Sequence, residues 1–425
     1  MEEYGKILVV AMPVFLLLII IEKIYGKYKG EDSVPLMDGV SSVSSGITNA
    51  LKDVMGLSIT FISYDWMLSK IALFSLESNA ITYILAFIII DFYGYWNHRI
   101  AHQVNFFWNK HAIHHSSEEF NLACALRQSI STFVNLFTFI LIPAAILGVP
   151  AKVIIITLPI QLFLQFWYHT KHIKKLEFLE HILVTPSHHR VHHAINPEYI
   201  DKNHSQIFII WDKWFGTFQE ELEAVPPVYG ITRPAATWNP IKINFQHLGL
   251  LLSDAWRAEK WQDKFTIWFK PTGWRPENFE VKYPVNKISD VYNFQKYGAE
   301  NSTKMTVWAV VQSLITLAFA AYLFSNIGSI GVPNLFVYGF FIFLTIYSYT
   351  ELMDKNRYAI YWETLRLFLG LGILFYFGDW FGLNSLFQAS NYIITTYLLL
   401  SFAVSLYFVT TEFKEKQTLV SISNT

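Results

Sequence analysis

Nine stretches of this chain are too apolar to be left in water, and that constrains its fold more than any other feature. A hydrocarbon core roughly 30 Å thick takes about 20 mostly apolar residues as a helix, and only helices or closed barrels satisfy their backbone there. Ile7–Ile21 is nearly all apolar and is followed by Lys23, Lys27 and Lys29. A signal peptide would carry its basic residues before the apolar run, so Glu2 and Glu3 in that place favour a retained anchor. Leu57–Leu76 is a weaker stretch and Ala80–Trp96 a strong one. Ser129–Leu147 and Ala151–Trp167 are separated by little more than Gly148-Val149-Pro150, as two crossings or as one re-entrant hairpin. Thr306–Phe324, Val332–Tyr349, Tyr358–Phe377 and Leu386–Val409 follow late in the chain. Only 15% of the 425 residues are charged, and Lys+Arg 32 against Asp+Glu 33 leaves no basic footprint for nucleic acid. The expected fold is an all-α integral membrane protein, a multi-span helical bundle with a cytosolic helical cap. Its expected division is 1–79 as N-terminal anchor segments, 80–304 as a membrane-embedded catalytic region and 305–425 as a four-span C-terminal region.

Because the 129–167 pair returns the chain to its starting side, the polar stretches before and after it face one compartment. Lys23, Lys27, Lys29, Lys171, Lys174, Lys175, Lys304, Lys355, Arg357, Lys414 and Lys416 fall on that side, against Lys6, Lys70 and Lys152 on the other. The positive-inside rule makes the first side cytoplasmic. Ile243–Phe269 mixes Leu251, Trp256, Trp261, Phe265 and Trp268 with Asp254, Arg257, Lys260 and Lys264. It reads equally as a helix in the lipid interface or as one packed on the cytosolic cap. The last four spans show no cluster of titratable groups, and no chemistry is assigned to them.

Thirteen of the 14 histidines lie between His98 and His204. His98-Arg-Ile-Ala-His102 follows a span directly, and His111-Ala-Ile-His114-His115 comes next. His189-Arg-Val-His192-His193 stands behind Thr185-Pro186-Ser187-His188. On a helix, positions i+3 and i+4 flank position i within roughly 60°, so each H-x-x-H-H box aims three imidazoles into one wedge. A lone H-x-x-x-H arises by chance roughly half a time in such a chain, whereas a given H-x-x-H-H arises about 0.015 times. Imidazole is a good ligand for iron, zinc and copper, and eight are too many for one ion, so two metals are implied. Cys124 is the only cysteine, which excludes an intrachain disulfide and a Cys-held cluster. His172, His181, His204 and His247 read more plainly as ordinary histidines. Asp91, inside a span, is a candidate for function or for a buried helix contact, and Glu118, Glu119, Asp201 and Asp212 are candidates to orient imidazoles.

These boxes, in this order between spans, resemble the fatty acid hydroxylase/sterol desaturase superfamily of membrane di-iron oxygenases. Within it they are most similar to the alkylglycerol monooxygenases, pterin-dependent enzymes that cleave ether lipids. The likeness is carried by Asp91–His102, His111–Gln128, Gln165–Thr170, Thr185–His193, Asp201–Asn203 and Ile209–Phe218. Val228–Thr232, Trp268–Trp274 and the Glu363–Arg366 segment extend it. The resemblance implies His98, His102, His111, His114, His115, His169, His189, His192 and His193 as ligands of two iron ions, with His188 as a further ligand or a neighbour of one. Two departures stand out: Gln103 after His102, which supplies no carboxylate, and His204-Ser205-Gln206 where the relatives carry small residues.

The implied reaction is O₂-dependent hydroxylation of a lipid chain entering from the bilayer. On an alkylglycerol it would occur beside the ether oxygen and release an aldehyde. The chain has no Gly-rich dinucleotide fingerprint, so electrons come from an external donor. The resemblance implies tetrahydrobiopterin in that role, with a redox protein as the alternative; no pterin-binding residue is identifiable by spacing. A sterol or fatty-acyl hydroxylase or desaturase is the rival of the same class. A metal transport or storage protein is the rival of a different class, although transport would place ligands nearer the middle of the bilayer.

Overall fold

The computed structural model describes residues 2–57, 63–132, 141–298 and 301–413. Among these residues the protein is all helical, with extended pairing confined to three isolated bridges. The helices that position the site and its surroundings are α1 (Glu2–Tyr28), α2 (Leu36–Val54), α3 (Tyr64–Ile71), α4 (Ala80–Gln103), α5 (Asn105–His115), α6 (Ala151–Leu164), α7 (Pro186–His192), α8 (Ile210–Phe215), α9 (Pro240–Arg257), α10 (Thr303–Ser325), α11 (Asn334–Met353), α12 (Ala359–Phe377) and α13 (Ser390–Tyr407).

Six of them, α1, α4, α10, α11, α12 and α13 with its extension to Glu412, are long and apolar enough to cross a bilayer. They cover six of the nine apolar stretches. The 14 residues of α6 rise only ~21 Å, short of a full crossing. Of Ser129–Leu147, residues 133–140 lie outside the described residues, and the described part holds a short helix over Ile142–Ile146. Leu57–Leu76 requires a correction: its described part holds only the eight-residue α3, capped where Ser63 Oγ accepts from Trp66 N at 3.2 Å. The chain then leaves the helix to lie along the 146–150 bend, Leu73 N to Ile146 O at 2.8 Å and Leu76 N to Gly148 O at 3.2 Å. Gly148, at φ 75°, packs against the Phe74 carbonyl where a Cβ would not fit.

The largest core joins the two ends of the chain. Val40, Ile47 and Leu51 of α2 pack with Leu323, Phe341 and Leu398 of the C-terminal helices. Ser41, Ser42, Ser44, Ser45 and Thr48 let α2 approach its neighbours closely, as small residues do between membrane helices. Ser44 Oγ meets Tyr349 of α11 at 2.5 Å.

The C-terminal spans also hold a buried polar cluster that their sequence does not reveal. Arg366 Nη2 donates to Glu363 at 2.5 Å and Nη1 to Tyr397 at 2.7 Å. Tyr397 donates to Gln312 at 2.7 Å, and Ser348 to Glu363 at 2.7 Å. Its members come from α10, α11, α12 and α13, so hydropathy read along any one helix misses the partnership.

Ile243–Phe269 forms not one helix but α9 and a short turn of helix at Trp261–Thr266. Packing of α9 on α5 places it against the helix that carries the second histidine box, and it also touches α2. Trp256, Trp261, Phe265 and Phe269 stay exposed, as suits a lipid–water boundary.

Candidate metal centre

The span α4 does not stop at the membrane edge. Its 24 residues reach ~36 Å, longer than the hydrocarbon core, and the surplus carries His98 and His102. Val104 then adopts an extended conformation, and α5 folds back against α4. Asn105 staples this bend: Nδ2 donates to Ile267 O at 3.0 Å and Trp274 O at 3.1 Å, and Oδ1 accepts from Gly273 N at 2.9 Å. The third box lies on α7, where Pro186 fits the first turn and Thr185 and His188 cap the start. His169 follows the end of α6.

These elements bring nine imidazoles into two groups. One is His98, His102, His111, His115 and His192; the other is His114, His169, His189 and His193, and in each the ring nitrogens all lie within 4.8 Å of one another. Each H-x-x-H-H box is divided between them. His111 and His115 enter the first group and His114 the second; His189 and His193 enter the second and His192 the first. The single wedge expected from helical periodicity is therefore split. Positions i and i+4 share a centre, while i+3 crosses to the other.

The nitrogen contacts fit metal ligation. Nε2 of His98 and His111 stand 2.8 Å apart, and Nε2 of His111 and His115 3.0 Å. In the second group His169–His189 is 2.8 Å, His189–His193 3.0 Å, His193–His114 3.1 Å and His169–His114 3.4 Å. Ligands at about 2.1 Å from one ion are separated by about 3.0–3.4 Å. Three rings have their single proton committed elsewhere. Nδ1–H of His98 donates to His204 O at 2.7 Å, that of His169 to Gln165 O at 2.9 Å and that of His192 to Lys202 O at 3.0 Å. Each then turns a bare Nε2 lone pair inward. The Nε2 atoms of His102 and His192 are buried and have no hydrogen-bond partner. Burial, reinforced by the neighbouring imidazoles, holds His111, His115, His189, His192 and His193 well below the usual imidazole range. It brings His114 down to about 4. Neutral imidazoles are what a metal requires.

His188 stands outside both groups, with Nε2 3.0 Å from Glu180 and Nδ1 at the α7 cap. His204 is buried beside the first group, its ring 5.0 Å from that of His102. Its backbone carbonyl, which carries no sequence signature, is what holds His98. The segment delivering it is fixed by two aspartates. Asp91 accepts from Ile207 N at 2.8 Å, Phe208 N at 3.1 Å and Trp211 Nε1 at 2.7 Å. Asp212 accepts from His204 N and Ser205 N, both at 2.8 Å. Asp201 Oδ1 lies 3.4 Å from His102 Nδ1. Glu118 and Glu119 face away from the rings, toward Tyr297 N and Lys296. Gln103 is exposed, and Gln206 fits only because it packs over Gly94.

A cavity of about 470 Å³ opens onto His98, His111, His114, His169 and His189. Leu8, Met12 and Phe15 of α1 and Val43 and Ile47 of α2 form its apolar walls. At the histidine end Asn97 Oδ1 accepts from Lys110 Nζ at 2.8 Å.

A fatty acid hydroxylase family model matches residues 83–217. The chain is 37% identical over 381 residues to the alkylglycerol monooxygenase of Homo sapiens, covering 89% of this chain and 84% of that one. To the Xenopus tropicalis alkylglycerol monooxygenase it is 34% identical over 360 residues, 84% of this chain and 79% of that one. An ornithine lipid hydroxylase of Rhizobium tropici is 29% identical over 156 residues, 36% of this chain and 46% of that one. No solved structure matches.

Proposed function

The chain belongs to the alkylglycerol monooxygenase family, and from that premise we propose that its nine clustered histidines hold two iron ions and that it cleaves the ether bond of alkylglycerols. It is a multi-pass membrane protein and a lipid monooxygenase of the fatty acid hydroxylase superfamily. The observation that carries the finer reading is the junction of two imidazole groups with an apolar cavity walled in part by α1, one of the helices able to cross a bilayer.

Iron bound there would supply O₂ activation sufficient to attack an unactivated C–H bond. The protein's own part is positioning. α1 and α2 hold an alkyl chain along their apolar faces, and the Asn97–Lys110 pair offers hydrogen bonds to glycerol hydroxyls. The carbon beside the ether oxygen then sits at the boundary of the apolar and polar lining, against the histidines. The buried rings keep water from the reacting carbon. Hydroxylation at that carbon gives a hemiacetal, which separates into a fatty aldehyde and glycerol. The excess of Lys and Arg flanking the spans on the histidine side supports a cytoplasm-facing centre, and a reduced pterin is the proposed electron donor.

Purified protein in lipid nanodiscs, given an alkylglycerol, O₂ and tetrahydrobiopterin, is expected to release fatty aldehyde. A stable hydroxylated lipid without aldehyde would overturn ether cleavage in favour of simple chain hydroxylation.

A further inference from the structure

Monooxygenation consumes two electrons and two protons besides O₂: one oxygen atom enters the C–H bond and the other leaves as water. With a lipid chain filling the apolar cavity, the donor needs a different approach to the histidines. The protein has a second, larger cavity of about 830 Å³ on the other side of a thin wall. The wall is the segment 125–128. Leu126 and Gln128 line the apolar cavity, while Arg127 between them lines the second. The box helix divides likewise: His114 faces the apolar cavity, and Ser116, just past His115, faces the second.

The second cavity is rich in charged side chains. Its floor is a buried pair, Arg127 Nη2 donating to Asp38 at 2.6 Å, with Arg127 Nη1 donating to Ser116 Oγ at 2.8 Å. Ser117 Oγ donates to Asp38 at 2.9 Å. The rings of Trp238 and Tyr297 form one side, 5.2 Å apart, and the indole N–H of Trp238 is withdrawn from solvent without a partner. Glu118 and Glu119 add carboxylates to the lining. From this floor to the first histidine group is one step along the chain, since Ser116, which accepts from Arg127, directly follows His115.

We propose that this cavity, floored by Asp38 and Arg127 and flanked by Trp238 and Tyr297, binds the small-molecule electron donor, a compact planar reductant rich in hydrogen-bond donors, of the reduced pterin class. The inference rests on the monooxygenase reading above. Aromatic rings beside carboxylates suit a flat heterocycle bearing N–H groups, and the volume is that of a small-molecule pocket rather than a flat protein-docking surface. Bound there, the donor gives up two electrons and two protons and leaves oxidised by two electrons. Substrate and donor thus reach the same centre from opposite faces of the 125–128 wall without competing.

The test is anaerobic titration of the iron-loaded full chain in nanodiscs with tetrahydrobiopterin, read by tryptophan quenching and equilibrium dialysis. Leu36→Trp obstructs the cavity from an exposed position, and Glu118→Gln removes a charge while its amide oxygen still accepts from Tyr297 N. Each is expected to weaken pterin binding at least tenfold with iron content and alkylglycerol binding unchanged. Met12→Trp, in the apolar cavity, is expected to weaken alkylglycerol binding alone. Pterin binding unaffected by Leu36→Trp and Glu118→Gln but weakened by Met12→Trp would overturn the proposal. So would a wild-type protein that binds no pterin yet releases aldehyde with a redox protein, an outcome that leaves ether cleavage standing. Pterin binding that shifts as expected without any aldehyde would support this site and sink the ether-cleavage reading instead.

Discussion

Two buried polar clusters in this protein differ in what completes them. In the C-terminal bundle, Arg366, Glu363, Tyr397, Gln312 and Ser348 answer one another, donor to acceptor and charge to charge. Among the clustered histidines, His98, His169 and His192 have their ring protons committed to backbone carbonyls and turn bare lone pairs inward. Ring nitrogens confront each other there at 2.8–3.4 Å, with no carboxylate in either group. Such an array is costly unless a cation stands among the nitrogens, because a buried acceptor without a donor forfeits its desolvation energy. A self-satisfied network indicates architecture; an array unsatisfied in one sense indicates a binding site.

The sharpest way to break this contrast is to remove one ring. Because each box is divided between the groups, His192→Ala and His114→Ala should each strip one centre and abolish aldehyde release. Elemental analysis should show roughly half the iron lost, with the folded protein retained. Retention of full iron by both variants would dissolve the two-centre reading. Next in size, Arg366→Leu leaves Glu363 buried and unpaired and should cost about 3–5 kcal/mol in unfolding experiments, at unchanged iron per folded chain. Glu363→Leu combined with Arg366→Leu should recover most of that loss. If the double variant instead folds stably but is inactive, the C-terminal cluster is more than architecture.

Smaller effects probe the support of the histidine groups. Asp91→Asn retains two acceptor lone pairs but loses the charge that three donors share, and should cost about 1–3 kcal/mol and loosen the 207–211 segment. Hydrogen exchange at Ile207 and Phe208 reads this directly. Asp201 is half exposed and 3.4 Å from His102, so Asp201→Asn should weaken iron binding by about tenfold, the low end for such partners. Gln103→Ala should change nothing, since the exposed side chain takes no part in the centre; reduced pterin affinity would contradict that.

Much of this was readable in advance, and the parts that were not share a cause. The spans follow from hydropathy along one helix, and α1, α4 and the four late helices run where the apolar stretches lie. Leu57–Leu76 misleads because its average hydropathy hides Ser63 as a cap and Ser75 beyond the helix. The C-terminal cluster escapes notice because Gln312, Ser348, Glu363 and Tyr397 are each unremarkable on their own helix. His204 reads as an ordinary histidine because what it contributes to His98 is a backbone carbonyl, which every residue possesses.

The sequence by itself determined that the chain lies in a membrane and that histidines are paired one helical turn apart. Both follow from local rules, the length of an apolar run and the pitch set by i to i−4 hydrogen bonds. Only the tertiary structure decided that each H-x-x-H-H box is divided between two imidazole groups, that α1 and α2 wall the apolar cavity, and that Arg127 stands between it and a second cavity rich in charged side chains. Those outcomes depend on how α4, α5 and α7 converge, and convergence is set by packing between residues far apart in the chain, as when Asn105 binds Ile267 and Trp274.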